Sequence, residues 1–330
     1  KQLPKDLYED GFLNTQIRYS YKNNRILVQR FNALPDAQKG GLGWGQMFTG
    51  YRNSVKPVVK NTLMLTTYYG ETATDNALAI WKYAQAHPEL NLNCVWAVKN
   101  QYTMVPDGAK TVLIGSKEWF HLLATAEYLI ANVHPNAMVR KKPGQKIVEN
   151  FHGYPYKLMG HEYYVKNGYS KQRIRSFEIR ENEFDYILAP AHYAEALYQE
   201  AFNFHGKFLT VGHPRNDLLT DPDAADARQA INQRLRRELN IAEDKKVVLY
   251  APTYRETNSL NEFSAKMVHF FDVKAFASLL GDDYVILVRG HMMNRRAGYH
   301  FEDTPNIIDV TQYPEIRDLI ITSDMGILDY

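Results

Sequence analysis

A chain of 330 residues is longer than one hydrophobic core usually organises, so two domains of about 150 residues each are expected, with a ligand cleft between them. Its 39 lysines and arginines nearly balance 37 aspartates and glutamates, which argues against a nucleic-acid partner held by backbone charge. The lone Cys94, in the apolar context Leu-Asn-Cys-Val-Trp, excludes a disulfide framework and a cysteine-based zinc site and fits a reducing, cytoplasmic compartment. No run approaches about 18 apolar residues, so no span or export signal is expected, and the start at Lys1 without a methionine suggests a fragment.

Residues 1–60 alternate aromatics with Lys, Arg and Asn and break at Lys39-Gly40-Gly41-Leu42-Gly43-Trp44-Gly45, which reads as an appended arm or linker. From Thr62 the pattern becomes α/β. It predicts a strand at 62–69, a helix at 75–87, strands at 93–98 and 111–114, a helix at 118–130, and a strand over 147–150. A strand at 186–188 and a helix at 192–202 follow, with the first domain expected to close near 169–180. The domains are therefore expected at 61–175 and 176–330. Strands at 208–211, 246–250, 284–288, 307–309 and 324–328, with helices at 224–239, 273–280 and 315–322, make the second alternation. Alternation of this kind predicts parallel sheets, two Rossmann-like domains facing across a cleft, and ligands at the C-terminal ends of strands.

Asn150-Phe151-His152-Gly153-Tyr154-Pro155-Tyr156-Lys157 sets an imidazole between an apolar run and a Gly/Pro turn, with a lysine five residues on. A near-neutral pKa suits His152 to general base work, although a lone turn histidine can equally bond a backbone carbonyl. Val285-Ile286-Leu287-Val288-Arg289-Gly290-His291 repeats the arrangement: a buried strand delivers Arg289 and His291 to its edge, where a planar fork and a second donor could clamp phosphate. Val211-Gly212-His213-Pro214-Arg215-Asn216-Asp217 is another strand-end turn, in which Arg215 could meet an anion or pair with Asp217. Ala251-Pro252-Thr253-Tyr254-Arg255 ends a buried strand on a hydroxyl and a charge suited to phosphate or ribose, with a Thr-closed turn as the equal alternative. The chain ends on Ser323-Asp324 to Asp329-Tyr330.

In this order the motifs resemble the CDP-glycerol glycerophosphotransferase family, which includes the teichoic acid glycerophosphate primases and polymerases. The resemblance covers about Thr62 to Tyr330. The specific elements are His-Gly-x-Pro-x-Lys at His152 to Lys157, Gly-x-Pro-Arg-x-Asp at Gly212 to Asp217, Ala251 to Arg255, Arg289-x-His291, and the terminal Ser323-Asp324 to Asp329-Tyr330. Phe151 stands where a tryptophan is usual and Tyr156 where a smaller residue is, which bears on acceptor specificity; the serines expected after Tyr330 are absent. The resemblance implies a GT-B-like fold, with acceptor on the first domain and nucleotide on the second. It implies transfer of glycerol phosphate, or ribitol phosphate, from CDP-glycerol or CDP-ribitol to a hydroxyl of a lipid-linked or polymeric acceptor, releasing CMP. His152 would be the base and His291 a second catalytic group; Arg215, Thr253, Arg255, Arg289, His291 and Asp329 would bind donor, and Lys157 and Gly153 acceptor. No bound cofactor and no metal cluster is expected; Mg²⁺ carried by the donor is compatible. A GT-B nucleotide-sugar glycosyltransferase and a non-catalytic glycan-binding module are the alternatives. Arg140-Lys141-Lys142 with Lys146 forms a basic cluster before His152, so peripheral attachment to the anionic inner face of a bacterial membrane is a further expectation. The oligomeric state is left open.

Overall fold

The computed structural model describes residues 5–9, 13–20, 25–32, 40–136, 138–261 and 264–328. The chain divides into two compact units, Lys1–Arg215 and Asn216–Tyr330. The first holds a seven-stranded sheet whose spatial order is Lys207–Thr210, Tyr186–Ala189, Lys146–Glu149, Ala126–Ala131, Val59–Thr66, Asn93–Val98, Lys110–Leu113, parallel throughout. The chain builds outward from Val59–Thr66 in one direction, then returns to Ala126–Ala131 and builds in the other. These two strands flank the topological switch point.

Why these segments become central strands is plain in their side chains. Met64, Leu129, Ile147 and Ile187 feed one apolar cluster, while Leu63, Leu65, Cys94, Trp96 and Ile130 feed another, so the sheet is buried on both faces. The second unit repeats this in a four-stranded parallel sheet ordered Ile307–Asp309, Tyr284–Val288, Lys246–Ala251, Met325–Leu328. There Val247, Leu249, Val285 and Leu287 pack on one side and Val248, Tyr250, Ile286 and Val288 on the other.

Three expectations change. The segment expected to be one helix over 118–130 is a helix, Lys117–Thr125, running directly into the strand Ala126–Ala131. A strand buried on both faces has no period-2 signature, so its apolar run merges with the helix before it. The Gly-rich stretch is a helix, Gly40–Arg52, preceded by an antiparallel three-stranded sheet, Lys5–Glu9, Leu13–Ser20 and Arg25–Asn32. Tertiary packing offsets its glycines: Tyr51 is buried, its hydroxyl donating to the Arg140 carbonyl at 2.7 Å, and Trp44 lies 6.1 Å from the Phe120 ring. Finally, the strands at 186–189 and 207–210 complete the first sheet, which moves the division between units from 175 to 215. The stretch where the first domain was expected to close holds the helix Lys171–Glu181, capped by Ser170.

Candidate active site

His152 is held at the switch point of the first sheet. Val59–Thr66 ends into Tyr68, whose backbone N–H donates to the Asn132 Oδ1 at 2.9 Å, and Asn132 follows the neighbouring strand Ala126–Ala131. The His152 Nδ1 meets the Asn132 carbonyl oxygen at 2.8 Å. A carbonyl only accepts, so Nδ1 carries the hydrogen and Nε2 holds a lone pair. The residue keeps an exposed edge while protein atoms crowd the rest of its ring. That desolvation, with the nearby Arg215 guanidinium, holds the imidazole below the usual histidine range against the opposing pull of the Asn132 carbonyl and Asp75. A neutral imidazole with a lone pair on Nε2 is a base.

The backbone around it is contorted. Phe151 has φ +31°, Tyr68 +47°, Tyr69 +60° and Asp75 +66°. Left-handed conformations in such residues cost on the order of 1 kcal/mol each and persist only where surrounding contacts impose them. Those contacts are visible. Asp75 Oδ2 accepts from the Tyr68 hydroxyl at 3.0 Å and from Asn132 Nδ2 at 3.1 Å. Arg215 Nη1 donates to both Asp75 oxygens, at 3.0 and 2.9 Å, and to the His152 carbonyl at 2.9 Å. Asn76 Oδ1 accepts from the Arg215 N–H, and its Nδ2 approaches the buried His213 Nδ1 at 3.2 Å. Burial first, then Arg215, push His213 down to about 4 against the pull of Asp75, so it is neutral at pH 7.

Arg215 therefore belongs to the first unit, where it ties the His152 turn to Asp75; the sequence expectation had placed it in the donor domain. Gly153 has neither a positive φ nor any atom within 4 Å of where a Cβ would stand, so packing does not demand a glycine there and open space adjoins the base. Gly160 is the opposite case, with φ +63° and a Cβ that would stand 1.7 Å from the Ala201 carbonyl oxygen. Lys157 is half-buried on the same turn.

In the second unit, the pairing of Lys246–Ala251 with Tyr284–Val288 brings Thr253, Tyr254 and Arg255 to the same sheet edge as Arg289 and His291. The Tyr254 and His291 rings lie 4.8 Å apart. His291 N-caps the short helix Met292–Arg296: its Nδ1 accepts from the Met293 N–H at 3.2 Å, and the Asn294 Oδ1 accepts from the His291 N–H at 2.9 Å. Nδ1 is thus the acceptor, which leaves the hydrogen on Nε2. Arg289 Nη1 donates to the Tyr313 carbonyl at 2.6 Å, and the Arg255 guanidinium lies 4.6 Å from the Phe270 ring centroid. Asp329 lies outside the described residues.

Sequence reasoning missed Asn132, Asp75 and Tyr68. Asp75 carried a signal as the opening residue of a helix, but its partner, Arg215, is 140 positions away. The basic cluster is also less bare than its sequence suggests. Lys141 and Lys146 both pair with Asp185, at 2.9 and 3.1 Å, and the Lys142 ammonium donates to the Arg52 carbonyl at 2.7 Å. Among the described residues no helix is long and apolar enough to cross a membrane, and no group of three His, Cys, Asp or Glu is placed to hold a metal.

Parallel α/β units of this type, with histidines just past strand C-termini, define a GT-B-like transferase. A family model described as CDP-glycerol:poly(glycerophosphate) glycerophosphotransferase matches residues 49–330. The teichoic acid glycerol-phosphate transferase of Staphylococcus aureus (strain NCTC 8325 / PS 47) is 30% identical over 86% of this chain and 73% of its own length. The teichoic acid poly(glycerol phosphate) polymerase of Bacillus subtilis (strain 168) is 29% identical over 83% of this chain, which spans only 37% of that protein. Among solved structures, that of the wall teichoic acid polymerase TagF is similar with a TM-score of 0.75 at 28% identity, over 87% of this chain and 70% of that one. The chain belongs to the CDP-glycerol:poly(glycerophosphate) glycerophosphotransferase family.

Proposed function

We propose that this protein transfers a polyol phosphate, glycerol phosphate in the first instance, from a CDP-activated donor to a hydroxyl of a teichoic-acid-like polymer. The observation that carries the reading is the Nδ1–H of His152 bonded to the Asn132 carbonyl, which leaves a basic lone pair on Nε2 of a residue that keeps an exposed edge. In the reaction the acceptor oxygen attacks the distal phosphorus of the donor pyrophosphate and its proton passes to His152 Nε2. The new P–O bond forms as the bond to the bridging oxygen breaks, and CMP leaves. No covalent enzyme intermediate is required; positioning and charge neutralisation suffice.

His291, through its Nε2–H, would donate to the phosphate of departing CMP, with Thr253 and Arg255 on the same sheet edge as further donor contacts. Arg289 would act by fixing the loop at Tyr313, and Arg215 by holding the base's turn. Lys157 and Gly153 would face the acceptor. Mg²⁺ would accompany the donor pyrophosphate, and titration with EDTA measures whether it is needed. The acceptor's lipid end would bring the protein to the cytoplasmic face of the membrane.

Incubation with CDP-glycerol, CDP-ribitol and a sugar nucleotide in separate reactions, each with a polyol-phosphate acceptor, tests the reading by release of the free nucleotide. CMP released from a CDP-polyol, and lost in His152→Ala, is the expected result; turnover of the sugar nucleotide alone would overturn it.

A further inference from the structure

Beneath the His152 turn lies a group of buried ionisable side chains that this chemistry does not use. Glu149 ends the strand Lys146–Glu149 with 0% relative exposure, and its Oε1 accepts the Phe151 N–H at 3.1 Å. Its Oε2 faces His134 Nδ1 at 3.5 Å, and neither atom has a hydrogen-bond partner elsewhere. The His134 ring is set among Phe202 at 4.7 Å, Phe184 at 5.6 Å and Phe151 at 5.8 Å, while its Nε2 lies 3.9 Å from Glu181, which Arg180 holds at 2.8 Å. Glu149 and His134 each adjoin an anchor of His152. Glu149 grips the amide of the preceding residue, the one with φ +31°, and His134 stands two positions from the Asn132 carbonyl that receives the His152 Nδ1–H.

We propose that Glu149 and His134 are positioning residues for His152, with Glu149 a neutral acid whose O–H is directed at His134 Nδ1 while its carbonyl oxygen holds the Phe151 N–H. Two buried acceptors facing each other would repel, whereas one shared proton satisfies both. Arg180 can offset one carboxylate, and it is Glu181 that it touches, at 2.8 Å, its pull opposing the burial that pushes Glu181 up to about 7. An ionised Glu149 would add an uncompensated one. Burial accordingly pushes Glu149 up to about 8, with Glu181 adding to the effect and the Phe151 N–H and Arg180 opposing it. Burial, Arg180 and His152 together keep His134 from taking the proton.

The inference rests on His152 as the base, so its test includes measurements that need no turnover. Glu149→Gln keeps an acceptor for Phe151 and a donor for His134, and should keep turnover, donor KM and slow hydrogen exchange at the Phe151 amide. Glu149→Leu removes both bonds; Phe151 exchange should accelerate and kcat fall by about 10- to 100-fold, with KM for CDP-glycerol little changed. The folded chain keeps a proton on Glu149 that the unfolded chain releases above about pH 4.5, so Glu149 makes stability fall as pH rises from about 5 to about 8, with Glu181, pushed up to about 7 by burial, acting in the same direction and His213 in the opposite one; Glu149→Gln should remove the Glu149 share and flatten the slope between about pH 7 and 8. Unaltered Phe151 exchange in Glu149→Leu, Glu149→Gln as inactive as the leucine variant, or an unchanged pH slope in Glu149→Gln would each overturn the proposal. If Glu149→Leu does not fold, the glutamine variant decides. Absence of CMP release by the wild type would refute the functional reading alone, since exchange and melting report on this inference independently.

Discussion

The two strand-end histidines carry the same side chain after the same kind of buried strand, yet the backbone gives them opposite tautomers. His152 Nδ1 meets a carbonyl oxygen, Asn132, and His291 Nδ1 meets an N–H, Met293. One ring therefore offers a lone pair at Nε2 and the other a hydrogen. A histidine motif in a sequence does not by itself say whether the residue will take a proton or give one; its Nδ1 partner decides. The surroundings differ in kind as well. His152 is held by contorted backbone and a partly buried ion pair, whereas His291 sits at the first turn of a short helix, held by a reciprocal cap with Asn294.

The sharpest break in this comparison is His152→Ala, which should lower kcat by about 10²- to 10⁴-fold and leave donor affinity in calorimetry unchanged, because a base acts on the acceptor. More than half of normal turnover in this variant would end the assignment. Next is Asp75→Asn, which removes one side of a pair whose carboxylate is 4% exposed; losing a partner of a buried pair costs about 3 kcal/mol. Both thermal stability and kcat should fall, and intact kcat in the folded variant would separate Arg215 from the His152 turn.

In the second unit the substitution should act on the donor instead. His291→Asn keeps a capping side chain but removes the Nε2–H, and should weaken CDP-glycerol binding by about 1.5 kcal/mol or more with little change in melting. Arg289→Ala should lower melting and donor affinity together, since its guanidinium holds the Tyr313 carbonyl. If both variants bind donor as the wild type does, the second unit's sheet edge is not the nucleotide site.

Titration gives smaller effects. His152 acts when neutral and its pKa is depressed, so the rate should fall with acidity only at a pH below the ordinary histidine midpoint of about 6.5. A limb in kcat/KM above that value would contradict the desolvated site. His213, neutral when folded and down at about 4, adds stability that is present above about pH 6.5 and lost as pH falls towards 4, because the unfolded chain takes up its proton first. Acid melts of His213→Gln should lack that loss. Smallest of all, Lys141→Glu with Lys142→Glu should change sedimentation with anionic vesicles little, since Asp185 already pairs with Lys141; a steep, salt-sensitive loss would show that the cluster holds the membrane.

Much of the architecture was legible because a strand buried on both faces writes itself as a short β-branched run: 284–288 and 307–309 fall on their observed bounds, as does the amphipathic helix Val273–Leu280. The junction at Thr125 and Ala126 was not, since helix and strand there share one apolar run. The Gly40–Arg52 helix was hidden because packing of Tyr51 and Trp44, rather than propensity, makes it. At the site, the histidines stood out by their turns. Their tautomers did not, because the atoms that set them, a carbonyl at Asn132 and an amide at Met293, belong to backbone that any residue supplies. Arg215 was misassigned for a related reason: its sequence neighbour Asp217 was in view, while its actual partner Asp75 is brought to it only by the completed sheet.

Nitrogen-15 spectra of the histidine rings in the intact, ligand-free protein, assigned with His152→Gln and His291→Asn, test the opposition directly. At about pH 7.5, above the ordinary histidine midpoint, His152 should report a hydrogen on Nδ1 with a bare Nε2, and His291 a hydrogen on Nε2 with a bare Nδ1. The same tautomer at both positions, or the reverse pair, would contradict the division of base and donor on which the mechanism stands.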